Sequence, residues 1–431
     1  MGSLCSREED GEDAMTTMNG TGKSKTKKES DIIHFFMLGI EGAGKTTIIR
    51  QLKCLCMQKP HNYQMYDDSW NLIDREKIFD YYELEGLKNV VRINLLTAAA
   101  SLIRKARDRD EEFLRSSTAA AAILRKCSQL YEGEVDIYDH SNQIEDEYGG
   151  FIIEIISDPQ VVRLLEQPIG VAGLKIEDGT RYFLKDEGRI RNIFTDSYQL
   201  TNDDIVHVRK PTVSFKSYKF RIKQLRVEIH DMGGQKSELV SVRFIQSECR
   251  NMNLQVKIPQ FMRQFLTTSG HCFLLYVSSL AAFQEPDKDS KGRTVLDKSA
   301  AIFKLVLEMS GVDECTVMIF FNKQDRFEEI CREMLQNDDG EGKRQIEKLL
   351  GVPPKLPKNQ KEGGKKNKPE NYDYLKDSIR NRFKEILKNN NDKKSYYMKY
   401  TQATDAQLMS TIFYAVENEI ISAFFTQARY L

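Results

Sequence analysis

The sequence lacks an excess of charge of either sign, because 64 acidic residues balance 64 basic residues in a chain of 431. No global field therefore favours nucleic acid as a partner. No apolar run is long enough to cross a bilayer and no secretory segment is present, so we expect the reducing cytosol as the setting. The eight cysteines show no paired metal-ligand spacing, which argues against a cysteine-based zinc site. The length suits two domains with extensions.

A glycine-rich loop is the clearest chemical signal in the sequence. Residues 39–46 read GIEGAGKT and match G-x-x-x-x-G-K-[ST] at every fixed position. Such a loop turns backbone N–H groups towards phosphate oxygens, while Lys45 supplies positive charge and Thr46 can ligate Mg²⁺. An apolar run at 32–38 predicts a buried strand before the loop, and the helical pattern after it adds a helix dipole. The predicted phosphate-binding residues are Glu41, Gly42, Ala43, Gly44, Lys45, Thr46 and Thr47.

Three further motifs follow in the order typical of a guanine-nucleotide site. DMGGQ at 231–235 follows an alternating strand pattern and places Asp231 where it can act on Mg²⁺ through water. NKQD at 322–325 follows an apolar strand, where open α/β sheets place ligands. Its Asp325 can accept hydrogen bonds from N1 and N2 of guanine, a donor pair that adenine lacks. TQAT at 401–404 would bring a backbone N–H to the guanine O6. An adenine-specific ATPase or kinase is the alternative that these motifs disfavour.

The hydrophobic pattern predicts an α/β fold with a mostly parallel sheet. Apolar runs at 272–277 and 317–321 are typical of strands buried on both faces, and a helix is predicted between them at 299–309. Residues 58–196 are largely helical in pattern, with helices predicted at 119–130 and 151–165. We therefore predict a tail at 1–30, a nucleotide-binding domain at 31–60 and 198–431, an inserted all-α domain at 61–197, and loop insertions near 247–264 and 338–370.

The first residues carry a membrane signal. The start MGSLCS matches M-G-x-x-x-[ST], which predicts myristoylation of Gly2 and allows palmitoylation of Cys5. One acyl chain binds membranes only marginally, so a second chain or the lysines at 23–28 would be needed for stable attachment. A disordered charged tail is the alternative interpretation. Lipidation would place the chain on the cytoplasmic face of the plasma membrane.

With these motifs in place, the chain resembles the α subunits of heterotrimeric G proteins over nearly its whole length. The run YQLTNDDIVHVRKPT at 198–212 is similar to the family's entry into its first switch, and YFLKDEGRI at 182–190 resembles a late helix of its helical domain. The resemblance implies a Ras-like P-loop GTPase domain interrupted by an all-α domain, with GTP or GDP and Mg²⁺ between them. It also implies a GTPase switch that couples a membrane receptor to effector enzymes.

The resemblance also assigns a role to each matching residue. Thr46 and Thr212 would ligate Mg²⁺, with Asp231 acting through water. Arg209 would be a built-in arginine finger, and Gln235 would orient the attacking water. Gly234, beside Gly233, would contact the γ-phosphate. Asp178 would reach across the cleft to Lys323. The nucleotide itself would be read by Asn322, Lys323, Asp325 and Ala403 at the base, and lined by Val206, His207, Val208 and Arg209 at the ribose and phosphates.

The phosphate loop departs from the family pattern. Glu41 stands where the family usually has Gly, and Gly42 stands where it has Glu. A carboxylate at this position adds like charge near the γ-phosphate and bulk where Gln235 and Arg209 must meet. Loss of one good transition-state contact costs about 10²–10³ in rate. The sequence therefore predicts slow GTP hydrolysis, and a GTP-locked scaffold with negligible turnover is the alternative.

Other departures concern the partners. The second switch has Val242 where the family has tryptophan, and residues 7–30 have a poor helical pattern. The family's βγ dimer grips both segments, so binding of βγ stays open. The C-terminal segment 417–431 would be a helix facing a receptor. The lysine-rich stretch within 338–370 has no interleaved aromatic residues, so we predict no nucleic-acid contact there.

Overall fold

A computed structural model describes most of the chain. The described residues are 32–110, 112–132, 136–139, 141–166, 176–211, 216–231, 272–308, 312, 315–336, 340–354, 372–390 and 396–428. Several predicted features lie outside them: Gly2, Cys5, Thr212, Gly233, Gly234, Gln235 and the loop 247–264.

One sheet organises the described residues. Its strands are β1 (Ile32–Leu38), β2 (Tyr63–Tyr66), β3 (Lys216–Ile222), β4 (Leu225–Asp231), β5 (Cys272–Ser279), β6 (Thr316–Asn322) and β7 (Tyr396–Tyr400). They lie in the order β2-β3-β4-β1-β5-β6-β7. The ladders from β4 through β1, β5 and β6 to β7 are parallel, whereas β2–β3 and β3–β4 are antiparallel. The predicted α/β class with a mostly parallel sheet is therefore confirmed.

Helices surround the sheet and fill the connection between β2 and β3. Those in the first half are α1 (Lys45–Gln58), α2 (Tyr81–Arg107), α3 (Thr118–Glu132), α4 (Glu147–Ile156), α5 (Pro159–Glu166), α6 (Asp178–Leu184), α7 (Glu187–Ile193) and α8 (Asn202–His207). Those in the second half are α9 (Val295–Leu307), α10 (Gln324–Gln336), α11 (Glu341–Leu350), α12 (Asp373–Asn390) and α13 (Ala406–Ala428). No helix in these described ranges is both long and apolar enough to cross a membrane.

The alternation of side chains along β1 divides the core into two clusters. Ile33, Phe35 and Met37 point into a cluster shared with α1 and the helices α2–α8. Phe36 and Leu38 point to the opposite face, into a cluster shared with α9, α10 and α12. All seven residues of the strand are buried, because both faces of the parallel sheet are covered.

The structure differs from the predicted elements at four places. The helix predicted at 151–165 is two helices, because Pro159 starts α5 and its ring cannot continue the hydrogen bonding of α4. The helix predicted at 299–309 begins earlier, at Val295, where Thr294 and Asp297 form a capping box. The predicted loop 338–370 contains the helix α11, whose Ile346 is buried. The short strand β2 was not predicted; it extends the sheet by pairing with β3.

Candidate functional site

A cavity of about 500 Å³ opens at the carboxyl ends of β1 and β6. This edge of a parallel sheet is where α/β proteins place ligands. The predicted site residues that line it are Glu41, Gly42, Gly44, Lys45, Thr46, Thr47, Asp178, Val206, His207, Val208, Arg209, Asn322, Lys323, Asp325 and Ala403. The structure thus brings together segments that are far apart in sequence. That these residues bind a nucleotide stays a prediction at this point.

The phosphate loop has a backbone that its glycines make possible. Gly42 and Gly44 have φ angles of 77° and 101°, in the left-handed region that side chains rarely adopt. A Cβ atom on Gly44 would lie 2.1 Å from Nδ2 of Asn322, so a side chain there would displace the neighbouring loop. The loop leads directly into α1, whose first residue is Lys45. The N-terminal N–H groups of α1 therefore face the cavity, as anion binding at a helix N-terminus requires.

Lys45 places a buried cation at the floor of this loop. Its Nζ donates to the carbonyl oxygens of Gly39 at 2.8 Å and Ile40 at 3.1 Å. Burial lowers the pKa of Lys45 to about 8, and the nearby Asp231 carboxylate only partly offsets that effect. An anion entering the loop would favour the charged ammonium. The lysine is thus placed for a phosphate group.

Thr46 and Asp231 provide oxygen atoms suited to Mg²⁺. The Thr46 hydroxyl donates to Oδ2 of Asp231 at 3.3 Å. Asp231 is buried, and its Oδ1 atom has no hydrogen-bond partner among the described residues. Burial raises the pKa of Asp231, which a nearby cation would reverse. Because Mg²⁺ prefers hydroxyl, carboxylate and water oxygens, these residues fit the ion that the sequence predicts.

Asn322 connects the two loops of the cavity. Its Nδ2 donates to the carbonyl oxygen of Ala43 at 2.9 Å. Its Oδ1 accepts from the backbone N–H of Ala403 at 3.0 Å and from the hydroxyl of Thr401 at 3.2 Å. The side chain is buried and joins the phosphate loop to the loop 401–404. The structure therefore gives Asn322 a positioning role, while direct reading of guanine by its amide stays a prediction.

The predicted contact between Asp178 and Lys323 is present. Lys323 Nζ donates to Oδ2 of Asp178 at 2.9 Å, and Arg326 Nε lies 3.3 Å from Oδ1 of the same carboxylate. We call these three residues the clasp, because they join α6 of the helical segment to the β6–α10 turn. Lys323 has a φ angle of 60°, an uncommon conformation that directs its side chain across the cavity mouth. Arg326 was not predicted to take part.

Charge pairing dominates the electrostatics of the clasp. Burial alone would raise the pKa of Asp178, but the charge and hydrogen bond of Lys323, followed by the charges of Arg326 and Arg181, lower it. Burial would likewise lower the pKa of Lys323, and Asp178 reverses that direction and raises it. The two groups therefore hold each other in their charged forms. Nη2 of Arg326 is buried and has no hydrogen-bond partner among the described residues, although it lines the cavity.

Polar contacts hold both the side chain and the backbone of Arg209. Its Nη2 donates to Oε1 of Glu41 at 3.1 Å, and its Nε lies 3.6 Å from Oε2 of Glu177. Nδ2 of Asn94, in α2, donates to the Arg209 carbonyl oxygen at 2.7 Å. Arg50, in α1, donates to the preceding carbonyl oxygen, that of Val208. The guanidinium therefore lies over the phosphate loop, on a backbone fixed from two helices.

Residues 206–208 line one wall of the cavity. The His207 ring stacks on Tyr182 with centroids 3.8 Å apart and planes at 7°. Arg189 covers the other face of Tyr182 at 4.1 Å. Burial lowers the pKa of His207, so its ring is neutral at neutral pH. The stack attaches this wall to α6 and α7.

The sequence reasoning missed several residues that position the site. Arg50, Asn94, Glu177 and Arg326 contact predicted site residues, yet none lies in a recognised motif. Asn94 is one of four buried polar residues of α2, with Lys88, Asn89 and Arg92, so its place in the helical pattern did not mark it. Arg50, Glu177 and Arg326 meet their partners only through tertiary contacts, which sequence spacing does not predict.

Comparisons with known proteins agree with this geometry. A family model described as G-protein alpha subunit matches residues 11–420. A guanine nucleotide-binding protein alpha-1 subunit of Caenorhabditis briggsae is 23% identical over 310 residues, which are 70% of this chain and 70% of that protein. The protein of the same name from Caenorhabditis elegans is 22% identical over 335 residues, which are 76% of this chain and 78% of that protein. Because the family match covers nearly the whole sequence, the chain belongs to the G-protein alpha subunit family.

Proposed function

We propose that this chain is a GTP/GDP switch, the α subunit of a heterotrimeric G protein, which hydrolyses GTP slowly. Members of the family bind guanine nucleotides and are generally GTPases. The observation that carries the proposal is the single cavity lined by the phosphate loop, Arg209, the residues 322–325 and Ala403. Together these segments offer a phosphate site, a catalytic arginine and a base site within one cavity.

The geometry supports hydrolysis by positioned charge. When bound, Mg²⁺ would neutralise charge on the phosphate oxygens, with Thr46 and Thr212 as its protein ligands and Asp231 behind them. Lys45 and the N–H groups of the loop hold the phosphates of GTP. Arg209 is placed to stabilise charge that develops on the transferring phosphoryl group, and Gln235 is proposed to orient the water. Little further chemistry is needed from the protein.

Glu41 is proposed to slow this reaction by holding Arg209. The Glu41–Arg209 contact of 3.1 Å competes with any contact between the guanidinium and a phosphate oxygen. Both side chains are partly exposed, so the pair itself is weak. Its effect on rate is larger than its effect on stability, because a misplaced transition-state contact costs about 10²–10³ in rate.

Replacing Glu41 with glycine is therefore expected to accelerate hydrolysis of preloaded GTP by about 10²-fold. The measurement is Mg²⁺-dependent single-turnover hydrolysis in the full chain. Glu112→Gln is the matched control, because Glu112 pairs with an exposed arginine, Arg115, outside the cavity, and its rate should equal that of wild type. A wild-type rate near the family's intrinsic scale of about 10⁻² s⁻¹, unchanged by Glu41→Gly, would contradict the slowing role.

A GTP-locked scaffold is the second candidate, favoured by the same Glu41–Arg209 contact. It predicts that the wild-type protein binds GTP yet shows no measurable turnover. The hydrolysis assay on the wild-type protein separates the two proposals, because a slow switch has a measurable single-turnover rate and a locked scaffold has none.

The clasp is expected to slow nucleotide release. Replacing Asp178 with asparagine removes one carboxylate from both Lys323 and Arg326, and we expect GDP to dissociate about 10-fold faster, since partly exposed charge pairs contribute about 1 kcal/mol each. The measurement is displacement of a fluorescent GDP analogue by excess GTP. Glu187→Gln, an exposed carboxylate in α7, is the control. If Arg326→Leu accelerated release equally in wild type and in Asp178→Asn, the proposed pairing would be wrong.

The partners and the location follow from the family and the N-terminal motif. We infer coupling to a receptor through the C-terminal helix and action on effector enzymes. Acylation of Gly2 and Cys5 would attach the chain to the cytoplasmic face of the plasma membrane. The altered second switch, in which Val242 stands where the family has tryptophan, bears most on the binding of a βγ dimer.

A further inference from the structure

A cluster of histidine and glutamate side chains lies on the sheet outside the nucleotide cavity. His34 in β1 is the register partner of Glu228 in β4, and His230 follows two residues later on the same face. Both histidines are buried, and Glu228 is half-buried. The ligand atoms of the three side chains all lie within 4.8 Å of one another, which makes this the one such group among the described residues.

The spacing of the nitrogen atoms suits two ligands of one ion. Nδ1 of His34 and Nε2 of His230 are 3.1 Å apart, and Oε2 of Glu228 lies 3.8 Å from the same Nδ1. Two imidazole nitrogens bound to one tetrahedral Zn²⁺ at their usual bond lengths are separated by about 3.3 Å. The nearly parallel rings, at 7°, also allow an N–H···N hydrogen bond in the metal-free protein. Metal binding requires a lone pair on both of these nitrogens, so the proton between them moves to the other nitrogen of its own ring.

The surroundings of the cluster support neutral, oriented ligands. Ser217, the register partner of His230 in β3, lies with its hydroxyl 2.7 Å from Nδ1 of that ring. When Nδ1 donates to this hydroxyl, Nε2 carries the lone pair, as in metal sites where an outer partner fixes the tautomer. Both rings are buried, which favours the neutral imidazole form. Lys219 is the nearby cation, and its Nζ donates to the carbonyl oxygen of Asp68.

We propose that His34, Glu228 and His230 form a binding site for a transition-metal ion of the Zn²⁺ type. Imidazole nitrogens with one carboxylate are the ligands of Zn²⁺, Co²⁺ and Cu²⁺, whereas Mg²⁺ prefers oxygen atoms. The ion would join β1 to β4 immediately before Asp231. This site is separate from the Mg²⁺ site, and the proposal does not depend on nucleotide binding.

The test is a metal titration of the full chain in excess Mg²⁺ and GDP, so that the nucleotide site is already filled. Co²⁺ is the spectroscopic probe, because tetrahedral nitrogen ligation gives strong visible absorption, and Zn²⁺ should then displace it. We expect one ion per chain and a higher melting temperature with Zn²⁺. His34→Gln and His230→Gln should each weaken binding by at least about tenfold.

Two further variants keep the test decisive. Glu228→Gln retains both histidines and should weaken binding even if a histidine variant fails to fold. His61→Gln, an exposed histidine elsewhere, should bind like wild type. Equal binding by wild type, His34→Gln and Glu228→Gln, or no saturable binding at all, would show a hydrogen-bonded histidine pair only and overturn the proposal.

Discussion

Replacing Arg209 with alanine is expected to slow single-turnover GTP hydrolysis by about 10³-fold or more in the Glu41→Gly protein, where Glu41 no longer holds the arginine; this is the largest effect on rate of any substitution considered for this site. The arginine supplies charge that is needed more in the transition state than in the ground state, so its loss lowers the rate constant. The structure supports this role because the Arg209 backbone is fixed by Asn94 and Arg50 while its guanidinium lies beside Glu41. The measurement is phosphate release from preloaded GTP at saturating Mg²⁺.

The control for Arg209 is Arg191→Ala, which removes an exposed arginine of α7 that pairs with Glu187. Its hydrolysis rate should equal that of wild type. A double variant, Glu41→Gly with Arg209→Ala, makes the test stricter. If Glu41 acts by holding the arginine, Glu41→Gly should give no acceleration once Arg209 is absent. Full acceleration in the double variant would show that Glu41 acts on something else.

Replacing Asp325 with alanine is expected to weaken GDP binding by about 10²–10⁴-fold, because two hydrogen bonds to a charged acceptor contribute about 1.5–3 kcal/mol each. Asp325 lines the base end of the cavity in the first turn of α10. Its carboxylate would accept from N1 and N2 of guanine. Affinity for ATP, whose base lacks that donor pair, should change little. The variant therefore loses discrimination as well as affinity.

The measurement for Asp325 is competition of GTP and ATP against a fluorescent guanine nucleotide, in wild type and variant. Asp373→Ala is the matched control, since this aspartate also lies in the first turn of a helix, α12, but outside the cavity. Equal competition by ATP and GTP in the wild-type protein would refute the guanine assignment, and stronger competition by ATP would favour the adenine-specific alternative.

The sequence was sufficient for the fold class because its signals are local. The apolar run of β1, the glycine-rich loop and the start of α1 each follow from neighbouring residues, and the structure places them as predicted. The strand β2 was missed because four residues form it only by pairing with β3, which is more than 150 residues away along the chain. The helix α11 was missed because lysines and glycines nearby masked a short amphipathic pattern around Ile346.

The residues of the site also divide into those with a local sequence signal and those that depend on contacts between distant segments. The loop and the NKQD motif were identified because their spacing carries chemistry by itself, and Arg209 was identified through the resemblance of residues 198–212 to the family. The second partner of Asp178, Arg326, and the carboxylate of Glu177 beside Arg209 were not, because each contact forms between α6 and distant segments. From the sequence, Glu41 is predicted to repel the γ-phosphate. The structure adds an attractive partner for it, Arg209, which is the proposed catalytic side chain.

The side-chain amide of Asn322 links the two ends of the cavity. Through Ala43 it holds the turn that faces the phosphates, and through Ala403 it holds the loop that faces the base. That second loop leads through one residue, Asp405, into α13, the last helix among the described residues. A displacement of α13 is therefore expected to reach both loops through Asn322. We expect the base and the phosphates of a bound nucleotide to be released together.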